Sequence, residues 1–379
     1  MKLPEEISEK ILQILEMPGL DQTAKTDYAA RLQVLRKQMR KLADDFTAYT
    51  PSEERYKDAY FAYNFPMNLA KTIAVTKEIE SHYPGILAGR TRVNVIDIGC
   101  GDGAGICGLY YGLKDTPSVQ EFKFTGVDRS PKMLERARIL GRWLGSHDKR
   151  VKTRFRRQKV VGPDALCILK QYDVIICINA LAEIIEGENI PIRFVHSLLA
   201  RLTDDGLLVI IEPALKKFVR RLMRLRDEIV SQRKAAVLLP CLHENPCALL
   251  MVDSRDEWCH QSVRWSPPEL LRIINQGLNR EIDVLKFAYL VIARGQIGDD
   301  KPDGYRVISE LLREKGKSRC YICAPQGRVE LVRLSRSRTA HNACFDSVGK
   351  GDILKLENVN AKKRNYWQIL EQTKVEFVK

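Results

Sequence analysis

The spacing of apolar residues changes twice along the chain. In the first ninety residues Ile7, Ile11, Leu12, Ile14 and Leu15 recur at helical spacing, and residues 28–46 hold a second periodic stretch. The aromatic segment 59–70 then leads into a further helix, so residues 1–90 read as a helical region. From residue 91 short β-branched runs alternate with helical stretches. Residues 93–98, 122–128, 174–178 and 207–211 read as strands. Residues 131–144 read as a helix with Pro131 in its first turn, and 191–202 as a helix with Phe194, Val195, Leu198, Leu199 and Leu202 turned inward. This alternation predicts an α/β fold with a parallel, doubly wound sheet over residues 91–235. Past residue 240 the regularity fades into loops with short strands at 287–292 and 329–334. A Cys-rich, partly β region is therefore expected over 236–352, and a C-terminal tail over 353–379. No internal repeat or low-complexity tract interrupts this order.

Composition sharpens the picture. A chain of 379 residues has room for two or three domains. No apolar run approaches the roughly 18 residues needed to cross a bilayer. The first six residues are already acidic and lack both an apolar signal core and an Arg/Ser-rich transit pattern, which predicts a cytoplasmic protein. With 62 Lys and Arg against 48 Asp and Glu the net charge is +14, which favours a polyanionic partner and above all nucleic acid. Basic residues crowd at 149–159, at 216–226 (Lys216, Lys217, Arg220, Arg221, Arg224, Arg226) and at 328–338. In the first run Arg150, Lys152, Arg154 and Arg156 alternate with Val151, Thr153 and Phe155, as one face of a strand does. A solvated charged face is the plainer account of any one run.

The first strand closes on Asp97-x-Gly99-x-Gly101-x-Gly103. Each glycine removes a side chain where the backbone must turn sharply or touch a ligand. Asp128 ends the next strand, where a carboxylate can accept from both hydroxyls of a ribose. A fourth strand runs into Asn179, with Glu183 beyond it. The loop resembles the Asp/Glu-x-Gly-x-Gly signature of class I S-adenosylmethionine-dependent methyltransferases, a Rossmann-like fold. That resemblance implies a cofactor site at Asp97, Gly99, Gly101, Gly103, Asp128 and Asn179. A nicotinamide-binding fold competes, but its Gly-x-Gly-x-x-Gly spacing is not met by Gly99, Gly101 and Gly103. The acceptor side is silent. Asn179 is followed by Ala180 and Leu181 and not by the Pro-Pro-aromatic run of amino methyltransferases, and Pro240-Cys241 follows the fifth strand and not the fourth. Glu212-Pro213 either lines the pocket or makes a turn. Catalytic residues are not identified.

Of ten cysteines, Cys100, Cys107, Cys167 and Cys177 are scattered through the α/β part, as small buried thiols often are. The other six lie beyond residue 240, a concentration that points to metal or redox chemistry in a cytoplasmic chain. Cys241 and Cys247 are followed by Trp258-Cys259-His260 and later by Cys320-x-x-Cys323. Four thiolates suit either tetrahedral zinc or an iron–sulfur cluster, and buried unliganded thiols are the third account. At these residues the chain resembles the methyltransferase-like proteins of small-ribosomal-subunit assembly, known from the mitochondrial ribosome and with prokaryotic relatives. The likeness rests on Pro240-Cys241-Leu242-His243 with Cys247, on Trp258-Cys259-His260, on Lys286-Phe287-Ala288-Tyr289, on Cys323 with Gly327, on Ser335-Arg336-Ser337-Arg338 and on Gly351-Asp352, and spans about residues 60–352. It implies a four-iron cluster held by Cys241, Cys247, Cys259 and Cys323, with Cys320 in reserve for the last place and His243 and His260 as supports. It also implies binding to small-subunit rRNA or its precursor particle, and leaves methyl transfer open. Leu242, Ala248 and Lys350 depart from the family pattern, where Pro, Pro and Trp are usual.

Overall fold

The computed structural model describes residues 1–378 apart from 18–24, 48–54, 161–170, 186, 188, 252–257 and 296–300. Cys167 lies outside the described residues. Three helices open the chain, α1 Glu5–Ile14, α2 Lys25–Thr47 and α3 Lys57–His82. The third is buried along nearly its whole length. It lies against α4 (Ala104–Leu113), where Gly108 and Gly112 face Thr72 and Thr76; a Cβ on Gly108 would stand 2.4 Å from that of Thr72. Both threonine hydroxyls donate back along α3, to the carbonyls of Asn68 (2.8 Å) and Thr72 (2.9 Å), so the close approach leaves neither donor unsatisfied.

The first sheet holds β1 Arg92–Ile98, β2 Glu121–Asp128, β3 Val151–Arg157, β4 Tyr172–Ile178, β5 Leu202–Pro213, β6 Ala236–Leu239, β7 Gln261–Arg264 and β8 Val284–Ala293. Between them run α5 Pro131–His147, α6 Leu181–Ile184, α7 Ile192–Leu199, α8 Lys216–Gln232, α9 Ala248–Met251 and α10 Glu269–Gln276. Strand order is β3-β2-β1-β4-β5-β8-β6, with β7 also on β8. The five strands β3 to β5 are parallel, and β8 enters antiparallel to both β5 and β6. This is the class I methyltransferase-like arrangement. Central β4 is buried at every residue, as a strand covered by helices on both faces must be, whereas edge strand β3 alternates. Ser130 caps α5 by accepting from the Met133 amide at 3.2 Å, and Pro131 occupies the first turn. The sheet does not stop at residue 235: β6, β7 and β8 complete it, so residues 236–293 are part of the α/β layer.

The second sheet follows at once. It comprises β9 Tyr305–Val307, β10 Leu312–Glu314, β11 Lys317–Ala324, β12 Gly327–Leu334, β13 Ile353–Glu357, β14 Asn360–Lys363, β15 Tyr366–Ile369 and β16 Lys374–Phe377. Their order is β14-β15-β12-β11-β9-β13-β16, with β10 on β11. Val307, Cys320, Ile322, Val329, Leu331, Phe345, Leu354, Trp367 and Ile369 form its own core. Residues 353–379, set apart as a tail by the sequence pattern, supply four of these strands. No helix among the described residues is long and apolar enough to cross a membrane.

Candidate functional site

The glycine loop sits where β1 gives way to α4. Gly99, Gly101 and Gly103 have φ of 70°, 49° and 89°, in the left-handed region that glycine adopts without strain. Gly99 has a second reason to lack a side chain, since a Cβ there would meet that of Ala180 at 2.5 Å. Asp128 ties the loop to β2: its Oδ2 accepts from the Gly101 amide (2.9 Å) and its Oδ1 from that of Ser130 (2.8 Å). Asn179, at φ 53° just past β4, donates from Nδ2 to Asn68 Oδ1 (3.0 Å), which Lys71 Nζ also approaches at 3.2 Å. Two residues of α3 thus orient Asn179 from a position 111 residues away in the chain. Nothing in the sequence marks them, because α3 is buried on both faces and its polar residues show no period.

Gly99, Gly101, Asp128 and Asn179 line one cleft of about 860 Å³, with Met133, Ser130 and Ile178. That is ample for a ligand of nucleoside size, for which pockets run to roughly 300–1,000 Å³. Asp97 lies beneath the loop, 1% exposed, and Gly103 starts α4 against Ala137. Asn179 Oδ1 is buried without a hydrogen-bond partner, and the buried Asp97 carboxylate has only the backbone amide of Ile106 near enough to favour its charge. Burial, and then the charge of Asp128, push the Asp97 carboxyl up to about 8. Burial likewise pushes Asp102 up to about 7 against the pull of Arg136, whose nitrogen is 4.0 Å away. A buried acceptor with no donor is costly, and two neighbouring carboxyls held near neutrality add to that cost. The cleft itself presents the Asp128 carboxylate and the unsatisfied Asn179 Oδ1, and a cationic ligand carrying a ribose, such as S-adenosylmethionine with its sulfonium and ammonium, fits that acceptor set.

The cysteines meet elsewhere. Cys241, Cys247, Cys259 and Cys323 line a single cavity of about 50 Å³ with Arg226, His260, Tyr289 and Ile308. Cys241 and Cys247 stand at the two ends of the loop between β6 and α9, Cys259 just before β7, and Cys323 on β11 of the second sheet. Alternation along β11 separates the two candidates for the last place. Cys320 points into the core of the second sheet, while Cys323 faces the cavity, its Sγ 3.3 Å from His243 Nε2. Burial pushes the Cys247 thiol up to about 11 and that of Cys259 to about 12, and Cys323 well above the usual range, with the neighbouring thiols adding to each. A bound cation would hold them as thiolates. Among the described residues no three or more His, Cys, Asp or Glu side chains are arranged as a single-ion site. The donor chemistry of the cavity, four sulfurs and no carboxylate, fits a soft metal centre.

The basic runs divide. On β3 Lys152, Arg154 and Arg156 point outward, and Arg157 and Lys159 join Arg55, Arg129 and Lys132 at the mouth of the cleft. Arg150 is instead bound to Asp148 and to the carbonyls of Val119 and Lys114. Arg221 and Arg226 of the second run are buried, as is Arg333 of the third, which pairs with Asp346. These arginines hold the fold together and offer no surface charge.

The profile of a family described as mitochondrial small ribosomal subunit Rsm22 matches residues 55–355. A search among curated proteins returned no match. Among solved structures, the plantazolicin methyltransferase BpumL with bound SAH is similar at 14% identity and a TM-score of 0.36, over 77% of this chain and 100% of that one. A precorrin-6y C5,15-methyltransferase from Geobacter metallireducens GS-15 matches at 13% identity and 0.35, over 59% and 87%. Magnesium protoporphyrin IX methyltransferase from Synechocystis PCC 6803 with SAH matches at 13% and 0.34, over 60% and 84%.

Proposed function

The chain belongs to the Rsm22 family, and on that premise we propose that it acts on the small ribosomal subunit as an rRNA-binding, methyltransferase-like protein. In this reading it binds S-adenosylmethionine at Asp97, Gly99, Gly101, Gly103, Asp128 and Asn179. It carries a four-iron cluster on Cys241, Cys247, Cys259 and Cys323. The observation that carries the reading is the shared cavity: four thiols, brought together from the loop between β6 and α9, the approach to β7 and β11 of the second sheet, line it. A cluster is itself a body of several atoms, so its ligands need not crowd around one point as those of a single ion do.

RNA binding is the testable core of the role. Exposed Lys152, Arg154, Arg156, Arg157 and Lys159 form a basic edge that continues into the mouth of the cleft. If these residues take up phosphates, the logarithm of the affinity for small-subunit rRNA falls linearly with the logarithm of salt concentration, with a slope of about −0.7 to −0.9 per phosphate neutralised. Fluorescence titrations of the full chain against small-subunit rRNA fragments should show that dependence. Reversing Arg154 and Arg156 to Glu should flatten it. Binding that is undetectable at low salt would remove the role.

A second reading keeps the same site and makes the protein an active rRNA methyltransferase, with zinc or the cluster purely structural. The unsatisfied Oδ1 of Asn179 at the cleft favours it, since it leaves an acceptor free for the cofactor that methyl transfer requires. Transfer of a labelled methyl group to small-subunit rRNA, lost in Asp97→Ala, would establish that reading.

A further inference from the structure

We propose that Arg226 and Arg306 form a cationic clamp that presets the cysteine loop 240–247 and offsets the negative charge of the centre it holds. The inference rests on the metal-centre reading above. Arg226 is 1% exposed and leaves α8 to donate to the carbonyls of His243 and Asn245 and to Asp227. Its neighbour Asp227 accepts the Cys247 amide with both oxygens, each at 3.0 Å. Arg306, 4% exposed on β9, reaches the same loop from the opposite end: Nε donates to the Pro240 carbonyl (3.1 Å) and Nη1 to Glu78 (2.6 Å) and the Gly351 carbonyl (2.8 Å). The carbonyls of 240, 243 and 245 and the amide of 247 are therefore all held from outside the loop.

Neutral donors would satisfy three carbonyls as well. Burying two guanidiniums to do so is expensive unless negative charge lies nearby. Asp227 and Glu78 supply one carboxylate each, but both stay partly in solvent, with side chains 27% and 24% exposed, while the guanidiniums do not. The cavity is where the remaining negative charge belongs. Four thiolates around zinc or an oxidised four-iron core leave a net dianion, and Arg226 lines that cavity. Lys350 Nζ stands 2.8 Å from His260 Nε2, so a third cation closes the Cys259 side.

The test is chelator competition on the full chain, loaded anaerobically with iron and sulfide or with zinc, comparing wild type with Arg226→Met and Arg226→Lys. Removing a partner of this kind lowers metal affinity about 10- to 100-fold, which is the expectation for Arg226→Met. Arg226→Lys keeps the charge but reaches fewer carbonyls, and should fall between the two. If the centre is iron–sulfur, Arg226→Met should also move its midpoint potential to more negative values, because losing a nearby cation favours the less negative, oxidised form; Arg226→Lys should restore it. A merely structural arginine would leave the potential unmoved. Wild-type retention of metal in Arg226→Met would overturn the clamp. Should that variant fail to fold, Arg226→Lys decides, since undiminished retention there overturns it equally. A wild-type chain that takes up neither metal would instead remove the reading on which the clamp rests.

Discussion

The cleft and the cysteine cavity are built in opposite ways. The cleft's central loop is seven consecutive residues, and its main tie, Asp128 to Gly101, joins adjacent parallel strands. The cavity gathers sulfurs from residues 241 to 323 and closes only when the second sheet is docked, through Cys323, the contact of Asn245 with the Pro325 carbonyl (2.6 Å) and the Arg306–Glu78 pair. The first is made within one sheet and the helix packed on it, with Asn68 of α3 as its long-range contribution. Tertiary structure is required for the second, so the two should fail independently.

The largest effect expected is on the cavity. Cys259→Ala should reduce bound metal to background while cofactor affinity stays at the wild-type level, checked by elemental analysis and calorimetry on one preparation. Asp97→Asn should do the reverse, keeping metal and weakening S-adenosylmethionine about 10- to 100-fold, as the loss of a charged hydrogen-bond partner predicts. A variant that loses both functions together would break the comparison.

A smaller effect sharpens it further. With Asp97 held up to about 8 by burial and by the charge of Asp128, that carboxyl is protonated at neutral pH. The folded chain holds this proton more tightly than the unfolded one. The group's contribution to stability is therefore greatest below the ordinary carboxylate range and is lost as pH rises toward 8. A cationic cofactor prefers the ionised form, so binding releases a proton and should strengthen as pH is raised through the neutral range, levelling off above about 8. Calorimetry in buffers of different ionisation enthalpy measures that proton, and Asp97→Asn should abolish it. Smallest of all, Gly105→Ala would bring a Cβ to 2.5 Å from Asp97 Oδ2 and 2.8 Å from Ile178 Cδ1. The overpacking should cost about 1–3 kcal/mol in denaturant unfolding.

The same contrast explains what the sequence disclosed. The parallel strands were legible because buried β1 and β4 carry continuous β-branched runs, and edge strand β3 a regular alternation. Of the second sheet only β12 was, from the run 329–334, since several of its other strands have three to five residues and β10 is exposed throughout. The glycine loop declared itself. Asn68 and Lys71, which orient Asn179, carry no local signal. The grouping of the cysteines came from a family resemblance and not from their spacing, and the choice between Cys320 and Cys323 needed the facing of β11. The basic runs misled in part: Arg221, Arg226 and Arg333 count as positive charge in the sequence but are spent inside the fold.

The most direct test of the account is the content of iron, zinc and acid-labile sulfide in wild-type protein purified without oxygen. The account predicts about four iron and four sulfide per chain, the composition of one four-iron cluster, with Cys241, Cys247, Cys259 and Cys323 protected from alkylation in the native state. Metal-free protein in which those four thiols react as freely as buried thiols allow would contradict it.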